Sequence, residues 1–339
     1  MTGLENRYRR MLTLLPRAYR EERAEEMLST LLDGAAPGQH GPRISEVLSL
    51  AALAVRLRAG APGGSARAVL CGDVLRRTAL LGLLVQTLLY STFSTFGAVA
   101  TTSSGSFGMR HVVVDYVQPL TLAACFICLV AGRHRAGRAL SLATAAIACY
   151  SFVAMALYGI PVELDALLAV SLVCTIATQV GFHRDAPAVA SRRRWFVLAG
   201  VSCAVVLAAS AAGSYFFLSP ALQSFGGNQI TPILGYSLVV SPLGPALAIA
   251  FAAAHARRSP IWPASLLVLG LPVLLVVPSS MSMISQGQFG NLLPGPVYLN
   301  NSLPSLGVEA LATEAVLAAI LIRALIRHRP GRDLNPRQA

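Results

Sequence analysis

The chain has 339 residues, 55% of them hydrophobic and only 12% charged, with a mean hydropathy of +0.61. Soluble domains carry about 25% charged residues, so this balance argues against one large water-soluble core and for a lipid environment. The net charge is +12 and all 27 basic residues are Arg. They sit in short clusters between apolar runs, as membrane topology signals do. Nucleic-acid binding is set aside, because no basic helix, aromatic strand motif or zinc spacing accompanies the charge.

The first 77 residues differ from the rest. They are charged, and the first long apolar run starts only near Thr78, so no signal peptide is expected. Leu4, Tyr8, Met11, Leu12 and Leu15 recur at helical spacing, as do Ala24, Met27, Leu28, Leu31 and Leu32. Thr2 and Glu5 fit a capping box. Pro16 suits the first turn of a second helix and Gly34 its end. GAAPGQHGP reads as a linker, a third helix is expected over 45–58, and AGAPGGSA links that helix to a stretch leading into the first apolar run. The expectation is a small cytoplasmic helical prefix over 1–77, too short to bury much surface alone. Its acid–base run RAYREERAEEM (17–27) reads either as a solvated helix face or as a partner site.

Runs of about 20 apolar residues are long enough to cross a bilayer as helices. About eight occur, at 78–100, 112–132, 139–160, 162–182, 195–218, 237–255, 263–284 and 308–326. The sixth is interrupted by Pro242 and Pro245. Alternate connections, RHRAGR, HRDAPAVASRRR and HARRS, with the tail RHRPGRDLNPRQA, hold three, four, two and four Arg. The other connections together hold one, Arg110. The positive-inside rule then puts both termini in the cytoplasm, consistent with an even number of crossings. Trp195 and Trp262 fall at the cytoplasmic starts of their helices and read as interfacial anchors. The predicted fold is all-α: a polytopic bundle of about eight helices over 78–326, with the prefix before it and a basic tail, 327–339, after it.

Ser106-Phe107-Gly108, Ser224-Phe225-Gly226 and Gln288-Phe289-Gly290 all fall in predicted outer connections, each followed by a Tyr: Tyr116, Tyr236 and Tyr298. A repeated hairpin with a re-entrant outer loop would explain the pattern. Shared loop composition would explain it equally.

Acids outside the prefix and tail are few. Asp115, Glu163, Asp165, Glu309 and Glu314 lie toward the predicted outer side, with Arg110 and His111 as their basic neighbours. Glu314 lies roughly 9 Å below the outer end of its run, at about 1.5 Å per residue. An intramembrane carboxylate marks a functional site by default. One reading makes Glu314 and Asp115 the floor of an outward-facing pocket for a cation or proton. The other starts the helix later and leaves Glu314 among the headgroups.

Cys125-Phe-Ile-Cys128 has the spacing of a dithiol redox pair, but it lies toward the cytoplasmic end of its run, and two small apolar residues in a core helix account for it. The six His lie in or beside connections with no pair at metal-ligand spacing, so no metal is expected. Without Lys there is no Walker A motif, and no GxSxG occurs. No cofactor is expected.

The segment RYRRMLTLLPRAYREERAEEMLSTLLDG (7–34) resembles the N-terminus of a group of actinobacterial multi-pass membrane proteins with a short helical prefix. It is similar in style to the prefix of some bacterial permeases. The resemblance covers about the first 60 residues and carries no catalytic residue. It implies a bacterial plasma membrane and a helical prefix, and no substrate. The extracytoplasmic domain and coupling elements of some permeases have no counterpart here. The expected role is that of a non-enzymatic membrane subunit or scaffold, its partners the lipid bilayer and a protein docked on residues 1–60. The alternative is a small-solute or ion transporter using Glu314 and Asp115.

Overall fold

The computed structural model describes residues 3–36, 38–60, 66–104, 116–157, 164–184, 186–189, 191–218, 243–257, 259–272 and 296–328. The described chain is all-helical, with no strand among the described residues. The helices are α1 (Gly3–Leu12), α2 (Arg17–Asp33), α3 (Ile44–Arg58), α4 (Ala66–Ser104), α5 (Gln118–Val130) and α6 (His134–Leu157). They continue with α7 (Leu164–Gly181), α8 (Arg192–Leu218), α9 (Leu243–Ala256), α10 (Ile261–Pro272) and α11 (Pro296–Arg327). The chain divides into two compact units, Met1–Arg76 with Ala177–Pro187, and Arg77–Ile176 with Ala188–Ala339.

In the first unit, α1 packs on α2 and on α3. Their apolar stripes meet in a core of Tyr8, Leu12, Leu15, Leu28, Leu50, Ala54 and Leu57. Tyr8 is fully buried, and its hydroxyl is satisfied at both ends. It donates to Glu46 Oε2 at 2.8 Å and accepts from Gln39 Nε2 at 3.1 Å. Gln39 in turn ties down the linker through Gly41 O and Ala36 N. Thr2, the first residue of the expected capping box, lies outside the described residues. A related contact is made at α3, where Glu46 accepts from the Arg43 backbone N–H at 2.8 Å. Arg43 has no side-chain acceptor with which to complete the box.

Pro16 stands just before α2, and Gly34 closes that helix at φ −80°, so glycine's conformational freedom is not needed there. It is needed at Gly60, with φ +87°, where the chain turns out of α3. Gly72 is required for a different reason: a β-carbon there would collide with the carbonyl of Ala59.

In the second unit, α5 and α6 form an antiparallel hairpin. The turn between them is a Schellman motif: Arg133 N–H bonds Cys128 O at 2.8 Å and Gly132 N–H bonds Leu129 O at 3.1 Å, with Gly132 at φ +86°. Helix α5 also packs on α8, and α9 packs on α11.

Two helices begin well before the apolar runs expected to form them. Helix α4 starts at Ala66 rather than near Thr78, because nothing after the Gly63-Gly64 pair interrupts a helix. Helix α11 starts at Pro296 rather than near 308, with proline at its first position, where no backbone donor is needed. By length and apolarity, one stretch, His134–Val153, is able to cross a membrane among the described residues. Gln118–Val130, Leu168–Gly181 and Ile261–Pro272 are apolar but shorter.

Candidate functional site

The second unit buries polar side chains between its helices. Gln86 on α4 is joined to Ser171 on α7 by a hydrogen bond from the serine hydroxyl, and its amide donates to Gly82 O at 3.2 Å. Thr175, also on α7, donates to Ser141 O on α6 at 3.1 Å. Gln118 on α5 donates to Thr144 O on α6 at 3.4 Å. Thr78 on α4 donates to Ser265 O on α10 at 3.4 Å. Small residues permit these approaches: a β-carbon on Gly82 would meet Cys174 Sγ.

Large aliphatic side chains lie on the outside. Leu120 is 69% exposed and Ile176 62%, while Gln86 is fully buried. Ile127, Leu142, Val153 and Leu172 are exposed as well.

Glu314 belongs to this unit. It lies in the interior of α11, eighteen residues from its start at Pro296. Its Oε1 occupies the space that a β-carbon on Gly270 of α10 would take. Its Oε2 is buried and has no hydrogen-bond partner among the described residues. Asp115, expected beside it, and Arg110 and Glu163, expected on the same outer side, lie outside the described residues. Asp165 lies in the first turn of α7 and Glu309 in α11. The three Phe-Gly segments of the suggested repeat also lie outside the described residues.

Trp195 and Trp262 do stand in the first turns of α8 and α10, and they touch, with ring centroids 5.9 Å apart. Phe126 of α5 meets Trp195 edge-on at 6.3 Å, and Phe251 of α9 meets Trp262 edge-on at 5.1 Å. The Arg77 guanidinium lies over Trp262 at 4.5 Å from its centroid, a geometry that attracts a cation to the ring face. Sequence placed the two Trp at helix starts but gave no sign that they meet.

The Cys125–Cys128 pair is structural in this setting. Both thiols are free, and Cys125 is buried and donates to Gly137 O across the hairpin at 3.2 Å. No group of three or more metal-ligating side chains occurs among the described residues.

Gly270 and the Gln86–Ser171 bond are the features that sequence reasoning missed. Gln86 carried a signal, as a lone amide inside the apolar run LLGLLVQTLLY. Gly270 carried none, since its role depends on a residue 44 positions away. Compared with known proteins, the chain matches no family model, no curated protein and no solved structure.

Proposed function

We propose that the chain is a non-enzymatic integral membrane protein, a subunit or scaffold of a plasma membrane whose residues 1–60 dock a protein partner. The observation that carries the membrane part is that the second unit turns large aliphatic side chains outward while it buries polar ones beside its apolar core of Leu80, Leu83, Leu122 and Leu129. Its helices bury Gln86, Gln118, Ser141, Thr144 and Ser171 and expose Leu120, Ile127, Leu142 and Ile176. In water this arrangement wastes the hydrophobic driving force. In lipid, helices associate through small residues and interhelical hydrogen bonds, with aliphatic side chains turned to the acyl chains. The arginine bias supports about eight crossings with both termini cytoplasmic.

The docking part is supported by α3. It buries Leu50, Ala54 and Leu57 in the first unit, yet Ile44 is 79% exposed and Leu48 64%, with Val55 exposed on the same side. A short helix with apolar residues on both faces has one face left for a partner.

The test is purification of the full chain from native membranes in mild detergent. The reading expects a stoichiometric companion that is lost in the Leu48→Asp variant while that variant still folds and stays in the membrane. A homo-oligomer with no companion would remove the docking part.

A second reading, transport of a small solute or ion, is favoured by the buried Oε2 of Glu314, which has no hydrogen-bond partner among the described residues. Uptake into vesicles that Glu314→Gln abolishes would support it. Unchanged uptake in that variant would remove Glu314 from the mechanism.

A further inference from the structure

Helix α8 opens with Arg192, Arg193 and Arg194 and has no acidic residue in its first turn. Three cations there oppose the positive end of the helix dipole, so helix stability does not explain them. Their surroundings divide them. Arg192 points back over the α5–α6 turn, its Nη2 3.1 Å from where a β-carbon on Gly132 would stand. Trp195 is buried among Phe126 and Trp262, which fixes the rotation of the first turn of α8. Arg193 and Arg194 are thereby turned outward, and both are exposed.

Below them the outward stripe is aliphatic. Arg194, Val197, Leu198 and Val201 follow the i, i+3, i+4, i+7 spacing of one helix face, and Arg193 lies one turn before Val197. These five residues line a shallow groove of about 400 Å³. The stripe from Arg194 to Val201 is roughly 10 Å long at about 1.5 Å per residue. The aliphatic stems of Arg193 and Arg194 close one end of this almost wholly apolar groove, and their exposed guanidinium groups stand at its rim with no carboxylate partner among the described residues. That is the complement of a molecule with an anionic phosphate head and a hydrocarbon chain.

We propose that this groove on α8 is a binding site for an anionic phospholipid, with Arg193 and Arg194 on the headgroup phosphate and Val197, Leu198 and Val201 along the first part of an acyl chain. Arg suits the role because its planar fork meets phosphate oxygens two at a time. The proposal rests on the membrane reading given above.

The experiment uses the full chain purified in mild detergent, with phosphatidylglycerol and phosphatidylcholine added in turn and bound lipid counted by native mass spectrometry. The wild type is expected to retain phosphatidylglycerol roughly 10- to 30-fold more tightly than phosphatidylcholine, the effect of two basic residues near an anionic headgroup. Arg193→Gln with Arg194→Gln is expected to erase that preference, weakening phosphatidylglycerol retention far more than phosphatidylcholine retention, whose phosphate is offset by its own ammonium group. Val197→Ser with Val201→Ser is expected to weaken retention of both lipids. Equal retention of the two lipids by the wild type would overturn the site. So would full displacement of phosphatidylglycerol by millimolar inorganic phosphate, which would show that the head alone is recognised. An alkaline wash of native membranes keeps the two levels apart. A chain released by the wash contradicts the membrane reading and this site with it, whereas a retained chain with no lipid preference contradicts this site alone.

Discussion

The Oε1 atom of Glu314 fills the place that a side chain on Gly270 would need. The two residues are thus a matched pair, and each limits what the other position accepts. Gly270→Ala gains about 1 kcal/mol of helix propensity but must push the carboxylate aside, at about 1 kcal/mol or more. In the wild-type background the substitution is expected to be neutral or mildly destabilising. With Glu314→Ala already in place, the same substitution is expected to stabilise. Thermal melts of the four variants in detergent measure the coupling, and additive effects would show that the pair does not touch.

Tyr8 supplies a second matched pair, with Glu46. Tyr8→Phe removes the hydroxyl but leaves Glu46 and Gln39 partly open to water, so a loss of about 1 kcal/mol is expected. Tyr8→Ala also leaves a cavity and is expected to cost ~3 kcal/mol or more. Hydrogen exchange of α1–α3 amides in the full chain reads both. Equal effects of the two variants would mean that the ring is not part of a core.

The same contact makes the first unit sensitive to pH at both extremes. The Arg43 backbone N–H, then the Tyr8 hydroxyl, hold Glu46 below its ordinary value of 4.5. A depressed carboxylate contributes stability that is present above the ordinary value and lost as pH falls through the folded-state value. Burial, then the bond to Glu46, raises Tyr8 above 10.0. A raised group contributes stability that is present below its unfolded value and lost as pH rises through the folded one. Exchange in α1–α3, taken relative to the unfolded-chain rate at each pH, is expected to accelerate below pH 4.5 and again above pH 10.0, with a plateau between. Removal of the acid-side acceleration by Glu46→Gln is the check. An unchanged profile in that variant would assign the effect elsewhere.

The bond between Gln86 and Ser171 tests how polar contacts work inside the second unit. In a bilayer such bonds average about 0.6 kcal/mol and reach at most ~1.7 kcal/mol in double-mutant cycles. The cycle of Gln86→Ala and Ser171→Ala is expected to give a coupling in that range. A coupling of zero would mean that the two side chains do not meet.

Much of the helix pattern was legible in the residues themselves. The stripe Leu4–Leu15, Pro16 and the glycines at 34 and 60 mark α1, α2 and α3 almost to the residue, because periodicity and chain breakers are local. The starts of α4 and α11 were not legible for one reason. An apolar run reports where lipid contact is expected, while a helix extends until something breaks it, and nothing does between Ala66 and Thr78. Pairings across the fold were not legible. The meeting of Trp195 with Trp262 and of Glu314 with Gly270 depends on which helices become neighbours, and no spacing within one helix reports that.

The central claim is that lipid covers the exposed aliphatic faces of the second unit, and the native cysteines test it directly. Cys71, Cys149 and Cys203 are all exposed and free. Cys71 lies before the first apolar run, whereas Cys149 and Cys203 lie within the third and fifth. The measurement is labelling of intact membranes with a charged, water-borne maleimide, located by peptide mass spectrometry, once from each side of the membrane. The account predicts that Cys71 is labelled from one side, and that Cys149 and Cys203 are spared until the membrane is dissolved and the chain unfolded. Rapid labelling of all three without detergent would mean that water, not lipid, covers those helices, and would contradict the account.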